Sequence, residues 1–140
     1  MIQRIQSIWL LLVSLFAFAT LKLSFYSGNK LDTLTNAKVF LPLNATTNTL
    51  LFILTVAVAV AALVVIFLYK DRKRQMLVSV GILAVSTLNI VFYFSEIKKF
   101  IEGQMDLTSI ISFVIPVFLL LAIRSIFKDE KLVKSTDRLR

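Results

Sequence analysis

The chain lacks cysteine and histidine altogether, and both absences narrow its possible chemistry. Without cysteine there can be no disulfide, no thiolate metal site and no cysteine nucleophile. Without histidine the chain also lacks the commonest metal ligand and the usual general base near neutral pH. The eight carboxylates that remain all lie outside the long apolar stretches. We therefore expect no catalytic residue, no metal site and no cofactor, and the protein is predicted not to be an enzyme.

Long uncharged apolar stretches fill most of the chain. Hydrophobic residues make up 58% of it, against about 45–50% in soluble domains, and its mean hydropathy is +0.86. A helix of about 20 residues crosses the hydrocarbon core of a bilayer, which is about 30 Å thick. The sequence predicts an all-α membrane protein with four transmembrane helices in a single domain, 1–140. The predicted helices cover about 2–24, 48–69, 75–95 and 107–134, the last including a cytoplasmic extension.

The distribution of Lys and Arg predicts how the helices are oriented. With four spans, eleven of these residues fall on the side of the two termini and five on the other side. Short cytoplasmic loops carry the excess of positive charge, so the prediction is N-in/C-in. The connection between helices 1 and 2 is expected to form a short outward lid, with a strand pair. An alternative treats the first stretch as a signal peptide cleaved at Ala17-Phe18-Ala19, which would leave three spans.

Several residues within the spans are predicted to govern helix packing. Ala57 and Ala61 have the small-xxx-small spacing that lets a neighbouring helix approach closely. Pro116 removes one backbone hydrogen bond from helix 4 and predicts a kink near Ser112. Polar residues follow one face of helix 3 and are expected to hydrogen-bond to a neighbouring helix; a path for a solute or proton is the alternative. The residues of this polar face are Ser79, Ser86, Asn89 and Tyr93.

Two basic segments are predicted to contact lipid headgroups or a partner. Their cations are Lys70, Arg72, Lys73 and Arg74 in the hairpin between helices 2 and 3, and Lys128, Lys131, Lys134, Arg138 and Arg140 in the tail. Asp129, Glu130 and Asp137 weaken the attraction of the tail to anionic lipid. Because apolar residues are interleaved with these charges, the tail is expected to dock on a folded protein. Contact with ribosomal RNA is a weaker alternative, and other nucleic acid or a small-molecule substrate is not expected.

The two ends of the chain resemble those of an uncharacterised family of small, four-span bacterial inner-membrane proteins. The resemblance rests on the start, Met1–Leu12, and on the tail segments Lys128–Ser135 and Asp137–Arg140. It extends over the whole length of the chain. It implies a bacterial origin, a multi-pass location in the inner membrane and cytoplasmic ends. It supplies no catalytic residue and no activity.

Two functions remain open at this point. A chain that can span, orient and pack but has no reactive group is typical of an accessory or scaffolding subunit of a larger inner-membrane complex, docking through its basic tail. The alternative is a small transporter or channel formed by self-association through the polar face of helix 3. Small four-span multidrug exporters rely on a glutamate within the first helix, and helix 1 here has no carboxylate.

Overall fold

The computed structural model describes residues 2–31 and 37–137, which form four helices and a three-stranded sheet. Each helix contacts the helices before and after it in the chain, and the first also contacts the last. The four helices therefore form a ring in which sequence neighbours are spatial neighbours. Their bounds are α1 Ile2–Ala19, α2 Thr49–Phe67, α3 Arg72–Ile97 and α4 Ser109–Asp137, with short 3-10 turns at Ala45–Thr47 and Leu68–Lys70.

Three of the four helices in the described residues are long and apolar enough to cross a membrane: Thr49–Lys70, Arg72–Ile97 and Ser109–Val133. The apolar part of α1, Ile5–Ala19, is shorter. Large apolar side chains such as Ile53 and Leu77 are exposed over the outside of the bundle. A water-soluble monomer rarely exposes so much contiguous apolar surface. The fold is thus that of a mostly helical membrane protein.

The core of the bundle lies where α1 meets α2 and α4. Leu10 and Val13 of α1 are fully buried, as are Leu119 and Ala122 of α4. In α2 the small residues in this core are Ala59 and Ala62, both without exposed surface. The predicted pair Ala57 and Ala61 does not lie there: Ala57 is exposed and Ala61 half-buried. Spacing alone identified the right kind of residue on a neighbouring face of the helix, because every position in this part of α2 is apolar.

The sheet closes the end of the bundle opposite to Ile2 and Asp137, here called the sheet end. Its strands are β1 Tyr26–Leu31, β2 Lys38–Leu43 and β3 Glu102–Met105, in the antiparallel order β2-β1-β3. The lid was expected to arise from the connection between helices 1 and 2 alone, but β3 comes from the connection between α3 and α4. Both connections therefore build one sheet.

Two glycines set the close approach of β1 and β3. Gly28 is paired with Gly103 in the register of these strands. A Cβ atom on Gly28 would lie 2.8 Å from the Cα of Gly103, and one on Gly103 would lie 2.6 Å from the carbonyl oxygen of Ser27. Only residues without a side chain fit at this distance.

Several helix ends differ from the predicted ones by a few residues. α1 was expected to reach residue 24 but ends at Ala19, after which the chain turns toward β1. α3 begins at Arg72, earlier than residue 75, because the Asp71 carboxylate accepts a hydrogen bond from the Arg74 amide at 3.3 Å and caps the helix. α4 continues through Pro116 without ending.

Candidate functional site

Two clusters of polar side chains lie inside the bundle. The terminal-end cluster, at the end that holds the first and last helical turns, comprises Gln6, Arg72 and Asp129. The inner cluster lies between α2 and α3, closer to the sheet, and comprises Thr55, Asn89 and Tyr93. The first contains an ion pair, whereas the second is uncharged.

A single carboxylate connects three helices in the terminal-end cluster. Asp129 of α4 is 7% exposed, and its Oδ2 atom lies 3.3 Å from Nη2 of Arg72 at the start of α3. Nη1 of Arg72 donates to the backbone carbonyl of Asp129 at 3.0 Å. Gln6 of α1 donates from Nε2 to the same Oδ2 atom at 3.1 Å. Because the carboxylate and the guanidinium are both largely withdrawn from water, each needs the other to offset its desolvation.

In the inner cluster a neutral hydrogen bond joins α2 to α3. Nδ2 of Asn89 donates to Oγ1 of Thr55 at 2.9 Å, which is the kind of interhelical bond predicted for Asn89. Tyr93 lies one turn further along α3, is 1% exposed and stacks on Phe25 with ring centroids 4.4 Å apart. Oδ1 of Asn89 and the Tyr93 hydroxyl have no hydrogen-bond partner within the described part of the chain.

A cavity of about 10 Å³ adjoins these unpartnered atoms. Its polar lining includes Thr20 just after α1, Ser86 of α3 and Ser112 of α4 besides the inner cluster. A space of this size holds about one water molecule. The cavity is therefore a place for a bridging water and is far too narrow for a solute to pass.

The polar face of α3 is turned toward the core of its own bundle. Ser79, Ser86 and Tyr93 are buried, and Asn89 is half-buried. The Ser79 hydroxyl donates to the Gln75 carbonyl at 2.8 Å, and that of Ser86 donates to the Leu83 carbonyl at 2.9 Å. The two serine hydroxyls are thus occupied within the monomer.

The family of the chain can be stated from its match to a known family model. Residues 2–139 match the model of a domain of unknown function, DUF4293. The chain belongs to this family. The match agrees with the resemblance of both chain ends to an uncharacterised family, and it brings no activity with it. No curated protein and no solved structure matches the chain, so the function of this member is argued from its own residues.

The predicted basic residues take different roles in this DUF4293 chain. Lys70, Lys73 and Arg74 of the hairpin are exposed, and so are Lys128 and Lys131 of the tail. Arg74 forms an ion pair with Asp71 at 2.9 Å. Arg72 was predicted to face headgroups or a partner but instead turns inward to Asp129. Two predicted residues, Arg138 and Arg140, lie outside the described residues, as does the side chain of Lys134.

The hairpin and the tail face each other across an open cleft. Its volume is about 560 Å³, and it is lined by Lys70, Asp71, Arg72 and Lys73 on one side and by Glu130 and Val133 on the other. The hairpin and the tail, which are separate basic segments in the sequence, therefore form one charged surface. No group of three or more potential metal-ligating side chains converges anywhere in the described residues.

Sequence reasoning missed Gln6 and Asp129 as structural partners. Gln6 was one polar residue in the first turns of an apolar helix, and Asp129 was one acid in a mixed-charge tail. They are 123 residues apart, and neither lies in a periodic pattern that points to the other. The one available signal was that Gln6 is a strong hydrogen-bonding side chain entering a span, and such a group requires a partner.

Proposed function

We propose that this protein is a non-enzymatic accessory or scaffolding subunit of a larger complex in the bacterial inner membrane. The observation that carries the proposal is that α4 continues as one helix to Asp137, about 20 Å beyond Arg124. The Asp129 ion pair fastens this extension to α3 and α1. A helix held in this way offers a partner a preorganised surface, so less conformational entropy is lost on binding than with a free tail.

The proposal includes four spans with both termini in the cytoplasm. α1 packs along both α2 and α4, and Leu10 and Val13 on one side of it are buried between them. A helix placed there shares the membrane with its neighbours, although its apolar part is shorter than theirs. The excess of Lys and Arg on the side of the termini supports the orientation through the positive-inside rule.

The surface that we assign to docking is the outer side of the α4 extension. Phe127 is 59% exposed there, beside the exposed cations Lys128 and Lys131. Exposed aromatic side chains are enriched at protein interfaces, whereas a purely electrostatic headgroup contact needs no exposed aromatic ring. The partner is therefore expected to offer an acidic rim around an apolar pocket.

Truncation after Glu130 tests this assignment. The shortened chain retains Asp129, so the terminal-end cluster and the bundle should stay intact. We expect normal membrane insertion and loss of co-purifying subunits in a mild detergent, measured by native mass. Lys131→Glu should weaken recovery of the partner, whereas Lys98→Glu, an exposed lysine at the sheet end, should not. Equal recovery with full-length and truncated protein would contradict the docking role.

Self-association through the polar face of α3 is the competing function. That face is buried within the monomer, and the adjoining cavity has room for a single water. A second copy could reach these residues only if the bundle opened. A homo-oligomer without other subunits, together with solute flux in liposomes, would favour this alternative over the accessory role.

A further inference from the structure

An open apolar groove runs between α2 and α3 on the outside of the bundle. Its volume is about 310 Å³, and Ala57 and Ala61 of α2 face Leu77, Gly81 and Val85 of α3 across it. Gly81 is exposed, and a Cβ atom added there would meet nothing within 4 Å. The small residues therefore leave space at the surface instead of bringing the two helices together.

The depth of the groove matches one leaflet of a bilayer. Leu77 and Val85 are eight residues apart, which is about 12 Å along the helix axis. Arg74 precedes Leu77 by one turn, so the groove extends from about 5 Å to about 16 Å below this cation. Half of the hydrocarbon core is about 15 Å thick. If Arg74 lies at the headgroups, the groove lies at the depth of the acyl chains in the same leaflet.

Positive charge marks the headgroup end of the groove. Arg74 is three, four and seven residues before Leu77, Val78 and Gly81, so it shares their face of α3. Its side chain is 78% exposed even though it pairs with Asp71. The hairpin from Lys70 to Arg74 holds four cations and one acid, and only Arg72 among the four is drawn into the bundle. The hairpin is thus suited to bind an anion at this depth.

The same charge disfavours a second copy of the chain as the occupant. A copy inserted with the same orientation would bring its own basic hairpin to the same depth, and the two sets of cations would repel each other. An anionic headgroup neutralises the hairpin instead. An acyl chain also adapts to a shallow groove lined by Ala and Gly.

We propose that this groove binds one acyl chain of an anionic phospholipid, whose phosphate contacts Arg74. The site rests on the orientation proposed above but not on the accessory role, since a lipid site of this kind functions in any assembly. It would anchor the α2–α3 pair to the cytoplasmic leaflet and fix the position of the charged cleft beside it.

The test compares phosphatidylglycerol with phosphatidylcholine of identical acyl chains on the full-length protein in mild detergent. Native mass spectrometry counts the bound lipids, and thermal unfolding measures their effect on stability. We expect a preference of roughly fivefold for phosphatidylglycerol, from the one cation at the groove. Arg74→Gln should reduce this preference several-fold, whereas Lys98→Gln at the opposite end should leave it unchanged.

The groove itself is tested by filling it. Gly81→Leu should abolish most binding of both lipids. If this variant folds poorly, Ala57→Leu fills the groove from the α2 side and should have the same effect. Ala84→Leu is the matched control, because Ala84 is exposed on α3 outside the groove. Lipid binding by Gly81→Leu and Ala57→Leu at the wild-type level, or equal binding of the two lipids, would overturn the proposal. A wild-type dimer that Gly81→Leu converts to a monomer would overturn it too, in favour of a second copy.

Discussion

The two ends of the bundle are closed by different chemistry. At the terminal end, α1, α3 and α4 meet through the side chains of Gln6, Arg72 and Asp129. At the sheet end the closure is made by the antiparallel strands and by aromatic packing, with Phe25 stacked on Tyr93. The terminal end therefore depends on few charged groups, whereas the sheet end depends on many backbone hydrogen bonds and on close contact.

This difference indicates which substitutions each end tolerates. Removing one member of an ion pair leaves the other member withdrawn from water without compensation, so the terminal end should be sensitive to the loss of a side chain. Backbone hydrogen bonds survive most changes of side chain. The sheet end should thus be sensitive mainly to the addition of atoms where the strands lie closest.

The largest effect is expected from Asp129→Ala. This change leaves Arg72 partly buried without its carboxylate and removes the acceptor of Gln6. Loss of one partner of a buried pair costs about 3–5 kcal/mol, and the partial exposure of Arg72 lowers our expectation to about 2–4 kcal/mol. Thermal unfolding in detergent measures the loss.

The matched control for that change is Glu102→Ala, which breaks the exposed pair of Lys38 and Glu102 at the sheet end. An exposed pair contributes at most about 1 kcal/mol. Equal losses from Asp129→Ala and Glu102→Ala would remove the distinction between the two ends.

Gly28→Ala should destabilise the sheet end by about 1–3 kcal/mol, because the new methyl group overlaps the backbone of β3. Gly81→Ala provides the opposite case within the same chain. Its Cβ meets open space, and alanine favours a helix over glycine by up to about 1 kcal/mol in water. Melting curves should shift in opposite directions for the two variants; a shift in the same direction would refute the assigned roles of these glycines.

A smaller loss is expected between the two ends, from Asn89→Leu. It removes the hydrogen bond to Thr55, and such bonds within membranes contribute about 0.6–2 kcal/mol. The neighbouring change Thr87→Val, at an exposed position on α3, should have little effect. Solute flux in liposomes should be the same for Asn89→Leu and the wild type. A flux defect at normal stability would instead support transport.

The four helices were predictable because a backbone in lipid must satisfy its hydrogen bonds internally. A long apolar segment that crosses the membrane does this by forming a helix. The end of α1 was not predictable, because the chain leaves the helix to enter β1, whose strand pairing is not visible in the local sequence. β3 was missed because the four residues from Glu102 to Met105 show no strand pattern of their own. Its partner β1 lies about 75 residues earlier, and the pairing is marked in the sequence only by Gly28 and Gly103.

The same distinction holds for the polar sites: some could be predicted from local sequence, and others depend on residues far apart in the chain. The spacing along α3 placed Asn89 on a polar face, and the helical period made that face predictable. The ion pair of Arg72 with Asp129 joins residues 57 positions apart, and no local pattern assigns one cation of a basic hairpin to the interior. Arg72 was therefore predicted to be exposed, like its neighbours in the hairpin.

The most direct test determines on which side of the membrane each end of the bundle lies. The chain has no cysteine of its own, so a single introduced cysteine can be labelled specifically. Single cysteines replace the exposed residues Lys22, Lys73, Lys99 and Lys131, one at a time, in a chain with an amino-terminal epitope tag. A maleimide that cannot cross membranes should label positions 22 and 99 in intact spheroplasts. Positions 73 and 131 should be labelled, and the tag detected, only after permeabilisation. Labelling of positions 73 and 99 from the same side, or an accessible tag on intact spheroplasts, would contradict four spans with both termini in the cytoplasm.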